Sequence, residues 1–246
     1  MITDPWFYAF AIPAVLLVGL SKSGFSGFGA LGVPLMALTI PVPQAAAIML
    51  PLLLAMDATG LQQMWGERNR ALVRRLVPWA LLGTVVGTLL FGVLSAKAVA
   101  GLVGALTLAF LAQRLLFPPR AGGPQAPHWV GSGCAVVSGF TSFVAHAGGP
   151  PISAYTLPLK LPPRELAATM AVFFGAVNLS KIAPYAWLGL IDLRNMATAL
   201  VLLPLAPLGV WAGVWLTRRV SAALFYRLAY AGMFLTGVKL LWDGLR

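Results

Sequence analysis

The chain has 246 residues, of which 59% are hydrophobic and only 9% are charged. A soluble domain is about 25% charged, and the 17 basic and 6 acidic residues here are too few to cover a water-soluble fold. This composition excludes a soluble globule and predicts an all-α polytopic membrane protein. The net charge of +11 does not indicate nucleic-acid binding, because most Lys and Arg residues lie in short connections between apolar runs.

The first apolar region of the chain is interrupted. Residues 5–20 and 28–40 are apolar, but a Gly/Ser/Lys stretch over 19–27 separates them. Runs of this length reach only ~20–24 Å as helices, less than the bilayer core of about 30 Å. We therefore predict a broken or re-entrant helical hairpin whose tip lines a cavity. Three apolar spans follow at 44–64, 75–94 and 97–117.

The second half of the chain has the same layout. A cytoplasmic linker over about 118–127 leads into a second predicted hairpin, with arms at 129–143 and 149–160. Three further spans are predicted at 164–187, 195–216 and 220–241. The whole chain is thus predicted to be one transmembrane domain, 1–246, with one repeat over about 1–117 and another over about 128–246.

Matching residues support this division into repeats. Ser23–Phe28 resembles Ser138–Phe143 in sequence, and Gly32-Val-Pro34 resembles Gly149-Pro-Pro151. Later landmarks pair at one constant offset: Pro78, Gly83 and Gly87 with Pro204, Gly209 and Gly213. Three crossings per half is an odd number, so the second half is predicted to be inverted relative to the first, the architecture of secondary transporters. The Gly-x-x-x-Gly pairs predict close packing of helices inside the chain.

The distribution of basic residues predicts the orientation of the chain in the membrane. If each hairpin returns to the side it came from, eleven basic residues lie on one side: Arg68, Arg70, Arg74, Arg75, Arg114, Arg120, Lys160, Arg164, Arg218, Arg219 and Arg227. Four lie on the other: Lys97, Arg194, Lys239 and Arg246. The richer side is predicted to be cytoplasmic, so both termini face outward. Lys22 and Lys181 are left within the membrane.

The two hairpin tips are the candidate binding site. A tip that opens a helix presents free backbone N–H groups and the positive end of a helix dipole, which suit an anion. The first tip supplies Ser21, Lys22, Ser23, Ser26, Gly27 and Gly29. The second supplies Thr141, Ser142, His146, Gly148 and Gly149, with prolines at 150 and 151 placed to begin the returning helix. Neither tip contains a carboxylate, which favours a small oxyanion over a metal ion or an amine; no metal or cofactor is predicted.

Four intramembrane side chains have two interpretations each. Lys22 either faces the cavity or snorkels to the interface, and Lys181, close to Asn178, has the same two alternatives. Asp57 is either a protonation site that couples transport to protons or a counter-ion of Lys22 or Lys181. His146 either takes up a proton during transport or is a hydrogen-bonding residue of the cavity wall.

Two other classes of function compete with transport. An intramembrane enzyme would need a nucleophile with a base, and Ser142 near His146 is the one candidate pair in the sequence. A scaffold subunit of a membrane complex would need neither a buried lysine nor duplicated broken helices. Transport by alternating access is therefore preferred, and a homo-oligomer is compatible with it.

The glycine-rich first tip that leads into Val33-Pro-Leu35, with its counterpart Gly148-Gly-Pro-Pro151, resembles the sulfite exporter TauE/SafE family. The resemblance covers nearly the whole length and includes the arginine cluster after the second membrane segment. It implies a multi-pass permease of the bacterial inner membrane that typically exports a small sulfur-containing anion such as sulfite, thiosulfate or sulfoacetate. The segment Gly27-Phe-Gly-Ala-Leu-Gly32 has fewer glycines than members of the family commonly show there.

Overall fold

A computed structural model describes residues 1–22, 28–117, 126–216 and 222–246, and these residues form helices and no strands. The helices of the first half are α1 Pro5–Lys22, α2 Gly32–Met36, α3 Val42–Met64, α4 Arg70–Val93 and α5 Ala96–Leu116. Those of the second half are α6 His128–Ala145, α7 Gly149–Thr156, α8 Pro163–Ser180, α9 Ile182–Trp187, α10 Leu193–Leu202, α11 Leu205–Leu216 and α12 Ala222–Leu245.

Several of these helices can cross a membrane. Within the described residues, α1, α3, α4, α5 and the α8–α9 segment are long and apolar enough to do so, and the α10–α11 pair makes a sixth span if its bend of 41° is included. Large apolar side chains such as Leu89 and Val93 of α4 are exposed on the outside of the bundle, where lipid replaces water. The chain is a multi-pass, all-α membrane protein, as its composition predicts.

The first hairpin differs from the prediction in the lengths of its arms. Helix α1 has 18 residues, about 27 Å, and continues past Gly19 to Lys22. Gly19 lies inside the helix and packs against α11: a Cβ on Gly19 would lie 2.7 Å from the backbone of Gly209. The returning arm is shorter than the predicted 28–40, since a 3₁₀ turn at Phe28–Leu31 precedes the five residues of α2.

The second hairpin breaks where the sequence predicts. Helix α6 ends at Ala145, His146 adopts a left-handed conformation with a φ of 51°, and α7 begins at Gly149 with prolines in its first turn. The returning arm is again shorter than the predicted 149–160. It ends in a 3₁₀ turn, after which Lys160 has a φ of 52°.

Two of the predicted spans are broken. The 164–187 span divides at Lys181, and the 195–216 span bends between Leu202 and Leu205. The first break lies less than one turn before Pro184, and the second contains Pro204. Proline has no N–H to continue the helical ladder, and its ring clashes with the carbonyl four residues earlier, so it favours both breaks.

Contacts between the two halves assemble the bundle. The most extensive pairings are α1 with α11, α4 with α6, α5 with α12 and α3 with α8. The α4–α6 pair is in backbone contact: a Cβ on Gly83 would lie 2.0 Å from the carbonyl oxygen of Val136. The predicted internal packing is thereby confirmed for Gly83, and helix α3, whose residues Ala45–Met49 are buried, lies at the centre of the core.

Candidate functional site

The last residue of α1 forms an ion pair in the interior of the bundle. The ammonium of Lys22 pairs with the carboxylate of Asp57, which lies on α3. The side chain of Asp57 is only 3% exposed, whereas that of Lys22 is 24% exposed and lies 5.5 Å from the centre of the Phe174 ring. Asp57 therefore has the geometry of a counter-ion, and Lys22 is the more exposed side chain of the pair.

Asp57 also contacts the second half of the chain. Its other carboxylate oxygen, Oδ2, accepts a hydrogen bond of 2.6 Å from the side-chain amide of Asn178 on α8. The carbonyl oxygen of the same amide accepts a bond of 2.8 Å from Lys181. Asn178 thus links the carboxylate of the first half to the lysine of the second.

Lys181 lies at the break between α8 and α9 and is fully buried. Its Nζ donates to the carbonyl oxygen of Ser142 at 2.7 Å, to the Ser142 hydroxyl at 2.8 Å and to Asn178, and it lies 2.9 Å from Nδ1 of His146. An ammonium has three N–H bonds. These acceptors, all on described residues, are enough for its three N–H bonds. The hydrogen-bonding capacity of Lys181 is therefore used within the protein.

The position of His146 follows from its left-handed backbone at the end of α6. Its Nε2 lies 2.9 Å from the carbonyl oxygen of Ala46, which is an acceptor only, so we assign the ring hydrogen to Nε2. Nδ1 is then free to accept from the Lys181 ammonium. In this arrangement His146 is neutral and joins the second tip to α3.

Hydroxyls of α6 hold the second tip closed. Ser138 donates to the carbonyl oxygen of Gly148 at 2.7 Å, and Thr141 donates to that of Ala147 at 3.1 Å. Gly148 lies so close to α6 that a Cβ there would be 2.7 Å from the Ser138 carbonyl oxygen, whereas Gly149 has open space beside it. The tip is therefore a compact turn whose open side is at Gly149.

Fewer residues of the first tip than of the second are described by the structure. Ser21 is half-buried, its hydroxyl donates to the carbonyl oxygen of Val18 at 2.7 Å, and Gly29 lies against it. Ser23, Ser26 and Gly27, which the sequence also places at this tip, lie outside the described residues.

The contacts form one continuous polar chain between the two tips. It runs from Lys22 through Asp57, Asn178 and Lys181 to Ser142 and, in parallel, to His146. The chain thus joins two lysine side chains to the carboxylate of Asp57. Within the described ranges, no three His, Cys, Asp or Glu side chains lie together as metal ligands would.

Sequence reasoning missed one side chain beside this polar chain. Tyr185 is fully buried, donates to the carbonyl oxygen of Phe143 at 2.7 Å and packs edge-on against the Phe143 ring. A tyrosine in an apolar span needs a partner for its hydroxyl, and Tyr185 follows Lys181 by one helical turn. That spacing was the signal that could have found it. The Ala46 carbonyl gave no such signal, because every residue has one.

Comparison with known proteins supplies the family. The model of the family described as sulfite exporter TauE/SafE matches residues 11–240, nearly the whole chain. Searches of curated proteins and of solved structures found no match. Members of the matching family are transporters and not enzymes, which removes the intramembrane enzyme as an alternative. This chain therefore belongs to the sulfite exporter TauE/SafE family and is a membrane transporter of the sulfite-exporter type.

Proposed function

We propose that this transporter moves a small sulfur-containing oxyanion, such as sulfite, thiosulfate or sulfoacetate, out of the cytoplasm across the bacterial inner membrane. One observation carries the proposal: the polar chain between the tips holds Lys22 and Lys181 against the single carboxylate of Asp57. An uncompensated positive charge is costly in a low-dielectric interior. A bound anion would remove that cost, whereas a cation would increase it.

Lys22 is the proposed direct ligand of the anion. It ends a helix at the first tip and is partly exposed, while Lys181 is enclosed by its own acceptors. Residues flanking the two lysines complete the proposed site. At the first tip these are Ser21, Ser23, Ser26, Gly27 and Gly29, and at the second they are Thr141, Ser142, His146, Gly148, Gly149 and Asn178. Asp57 is the proposed counter-ion that shares Lys22 with the substrate.

The proposed mechanism is alternating access between two inverted repeats, 1–117 and 128–246, joined by a linker over 118–127. The helix pairings support it, because α1 contacts α11 while its counterpart α6 contacts α4, the counterpart of α10–α11. The position of the central hydrogen bond supports it too. Asp57 and Asn178 each lie fifteen residues after the start of their helices, 42 to 57 and 163 to 178.

The membrane potential is the proposed driving force for export. Moving one negative charge out of a negative interior gains about 2.3 kcal/mol per 100 mV, so efflux needs no second energy source. The proposed orientation places the first turns of α4, with Arg70 and Arg74, in the cytoplasm and both termini in the periplasm. It follows from the excess of basic residues on one side.

The test is thermal stability of the detergent-purified protein with sulfite, thiosulfate, sulfoacetate, sulfate and chloride at matched ionic strength. A ligand that binds the folded state selectively raises the melting temperature. We expect one sulfur oxyanion to do so in the parent and in Lys97→Ala, a control at an exposed lysine, but not in Lys22→Ala.

Because Lys22→Ala leaves Asp57 buried without its partner, the double variant Lys22→Ala/Asp57→Asn provides a second, charge-balanced measurement. It is expected to fold and to lose the stabilisation as well. If no sulfur oxyanion gives a selective shift, or if the shift survives in both Lys22 variants, the proposal is wrong.

A further inference from the structure

Two polar clusters outside the buried chain join the halves of the protein. The first, the Asn69 cluster, consists of Asn69, Glu165 and Thr169. The side-chain amide of Asn69 donates to Glu165 at 2.8 Å, and its backbone N–H donates to the Thr169 hydroxyl at 2.9 Å. The side-chain oxygen of Asn69, Oδ1, also caps α4 by accepting from the N–H of Leu72. The cluster therefore ties the α3–α4 connection to the first turns of α8.

The second, the Gln44 cluster, consists of Gln44, Asn195 and Asp192. The side-chain amide of Gln44 donates to the Asn195 carbonyl oxygen at 3.0 Å. Asn195 in turn donates to Asp192 at 2.7 Å, and Asp192 caps α10 by accepting from the N–H of Asn195. This cluster ties the first turn of α3 to the first turn of α10.

The two clusters are the same arrangement built twice. Gln44 is the third residue of α3, and Glu165 is the third residue of α8. Asn69 and Asp192 are the N-cap residues of α4 and α10, the helices that follow. In each cluster the third residue of a helix in one half bonds to the cap region of a helix in the other half. Two independent surface contacts would not be expected to share these positions.

The clusters lie at opposite ends of the central helix pair. Helix α3 has 23 residues, so it is about 34 Å long. Gln44 is in its first turn, while Asn69 follows its C-terminal end, and Asp57 with its ion pair lies between the two. Each cluster is therefore near one end of α3, with the proposed anion site between them.

We propose that the Gln44 and Asn69 clusters are the two gates of the transporter, and that their members are positioning residues which close the two ends of the path to Lys22. This rests on the alternating access proposed above. Both clusters are formed in this structure. Each half of the cycle breaks one cluster while the other holds, which is how a rocking of two halves exposes a central site to one side at a time.

The two gates differ in strength. The acceptor in the Asn69 cluster is the carboxylate of Glu165, and hydrogen bonds to a charged acceptor are roughly twice as strong as neutral ones. The Gln44–Asn195 bond joins two neutral amides. The gate at the Gln44 end therefore opens more readily, and the resting transporter exposes its site more often at that end.

The test measures from which side of the membrane a single cysteine near the site reacts. Cys134→Ser removes the native thiol, and Ser21→Cys places a probe next to Lys22. Vesicles of both orientations are treated with a membrane-impermeant maleimide. Gln44→Met and Glu165→Met weaken one gate each with little change of size. Thr88→Val, which removes a hydrogen bond inside α4, is the matched control.

We expect Gln44→Met to speed labelling from the Gln44 side by about two- to tenfold and to slow it from the other side, as the loss of one neutral hydrogen bond predicts. Glu165→Met is expected to have the opposite effect, by about tenfold or more, because a charged acceptor is lost. Thr88→Val is expected to label like the parent from both sides. Gates differ from structural contacts in one result: the two variants must change the labelling rate from a given side in opposite directions.

Labelling that changes in the same direction in both variants, or that does not change while the proteins stay folded, overturns the proposal. Gln44→Leu and Glu165→Gln provide a second pair if either methionine variant fails to fold. The readout contains no anion, so it separates two failures. If the two variants change labelling in opposite directions but no anion stabilises the protein selectively, the proposed substrate is refuted and the gates stand. If an anion stabilises the protein but the two variants do not change labelling in opposite directions, the gates are refuted and the substrate stands.

Discussion

Lys181 shows how one buried charge can hold a turn in place. Its ammonium joins the end of α6, through Ser142 and His146, to Asn178 on α8. These acceptors belong to separate segments of the second half. The conformation of the second tip therefore depends on this one side chain, whether or not the anion ever contacts it.

Replacing Lys181 with methionine or glutamine tests this dependence. Lys181→Met removes the donor to the side-chain oxygen of Asn178 and to Nδ1 of His146, which costs about 1–3 kcal/mol for each orphaned group, while the Ser142 carbonyl oxygen keeps the N–H of His146. Lys181→Gln retains two N–H bonds and should melt between the methionine variant and the parent. Lys97→Met, at an exposed position, should leave the melting temperature unchanged. A Lys181→Met protein that melts at or above the melting temperature of the parent would show that the hydrogen bonds of Lys181 contribute nothing to stability.

The site residues illustrate what a sequence can indicate. The positions of Lys22, Asp57 and Lys181 inside apolar runs were sufficient to single them out, because charge within a membrane is rare and needs a reason. Their connection through Asn178 could not be read from the sequence. It depends on the break at Lys181, which turns the lysine toward Ser142, and on the left-handed turn at His146.

At the scale of elements, backbone contact between helices fixes the hairpins in the bundle. Helix α6 lies against α4 at Gly83 and Gly139, and α1 lies against α11 at Gly19 and Gly209. Neither α1 nor α6, the first arms of the two hairpins, has room for a side chain at its glycine in these crossings. The first arm is two residues longer than the predicted run over 5–20, and Gly19, which the sequence places in the break, lies inside α1 in contact with α11.

Gly83→Ala tests the α4–α6 crossing. The added methyl would lie 2.0 Å from a backbone carbonyl oxygen, so the helices must separate, and overpacking of this kind costs about 1–3 kcal/mol or more. Gly133→Ala on α6 has open space around the new methyl and is the control. Because alanine favours a helix over glycine, that control should be neutral or slightly stabilising. Equal melting temperatures for the two variants would contradict the close crossing.

Other element boundaries depended on neighbouring structure. The second hairpin could be predicted because the prolines of Gly148-Gly-Pro-Pro151 favour the start of a new helix by local chemistry alone. The helix before it ends at Ala145, where His146 adopts the left-handed conformation. The bend before Leu205 was missed, although Pro204 marks it, because the run of apolar residues around it is long enough for a single span. The Asn69 and Gln44 clusters were also missed, since a lone amide near a helix end indicates only a cap.

For the whole molecule, the proposed transport of a net charge makes flux depend on voltage. If Asp57 is a fixed counter-ion, each anion carries its full charge outward. In proteoliposomes the equilibrium ratio of anion concentrations should then change about 50-fold per 100 mV for each unit of charge moved. If Asp57 instead carried one proton with a monovalent anion, the cycle would be neutral and the ratio would not respond to voltage.

The measurement is the distribution of a radiolabelled sulfur oxyanion across the vesicle membrane at imposed potassium diffusion potentials of both signs. Protein-free liposomes and the Lys22→Ala variant are the controls. A distribution that follows the potential supports the counter-ion role of Asp57. One that follows an imposed pH difference assigns Asp57 to proton coupling and contradicts potential-driven export.

The two prolines at the start of α7 have a consequence for selectivity. Of the first four residues of this helix, Gly149, Pro150, Pro151 and Ile152, only the first and the last carry an N–H. The start of α7 therefore offers a small oxyanion few backbone donors in place of its hydration shell, and dehydration without replacement is costly. The anions that enter should therefore be ranked by how weakly they hold water, with thiosulfate ahead of sulfate, rather than by how well they fit a rigid ring of donors.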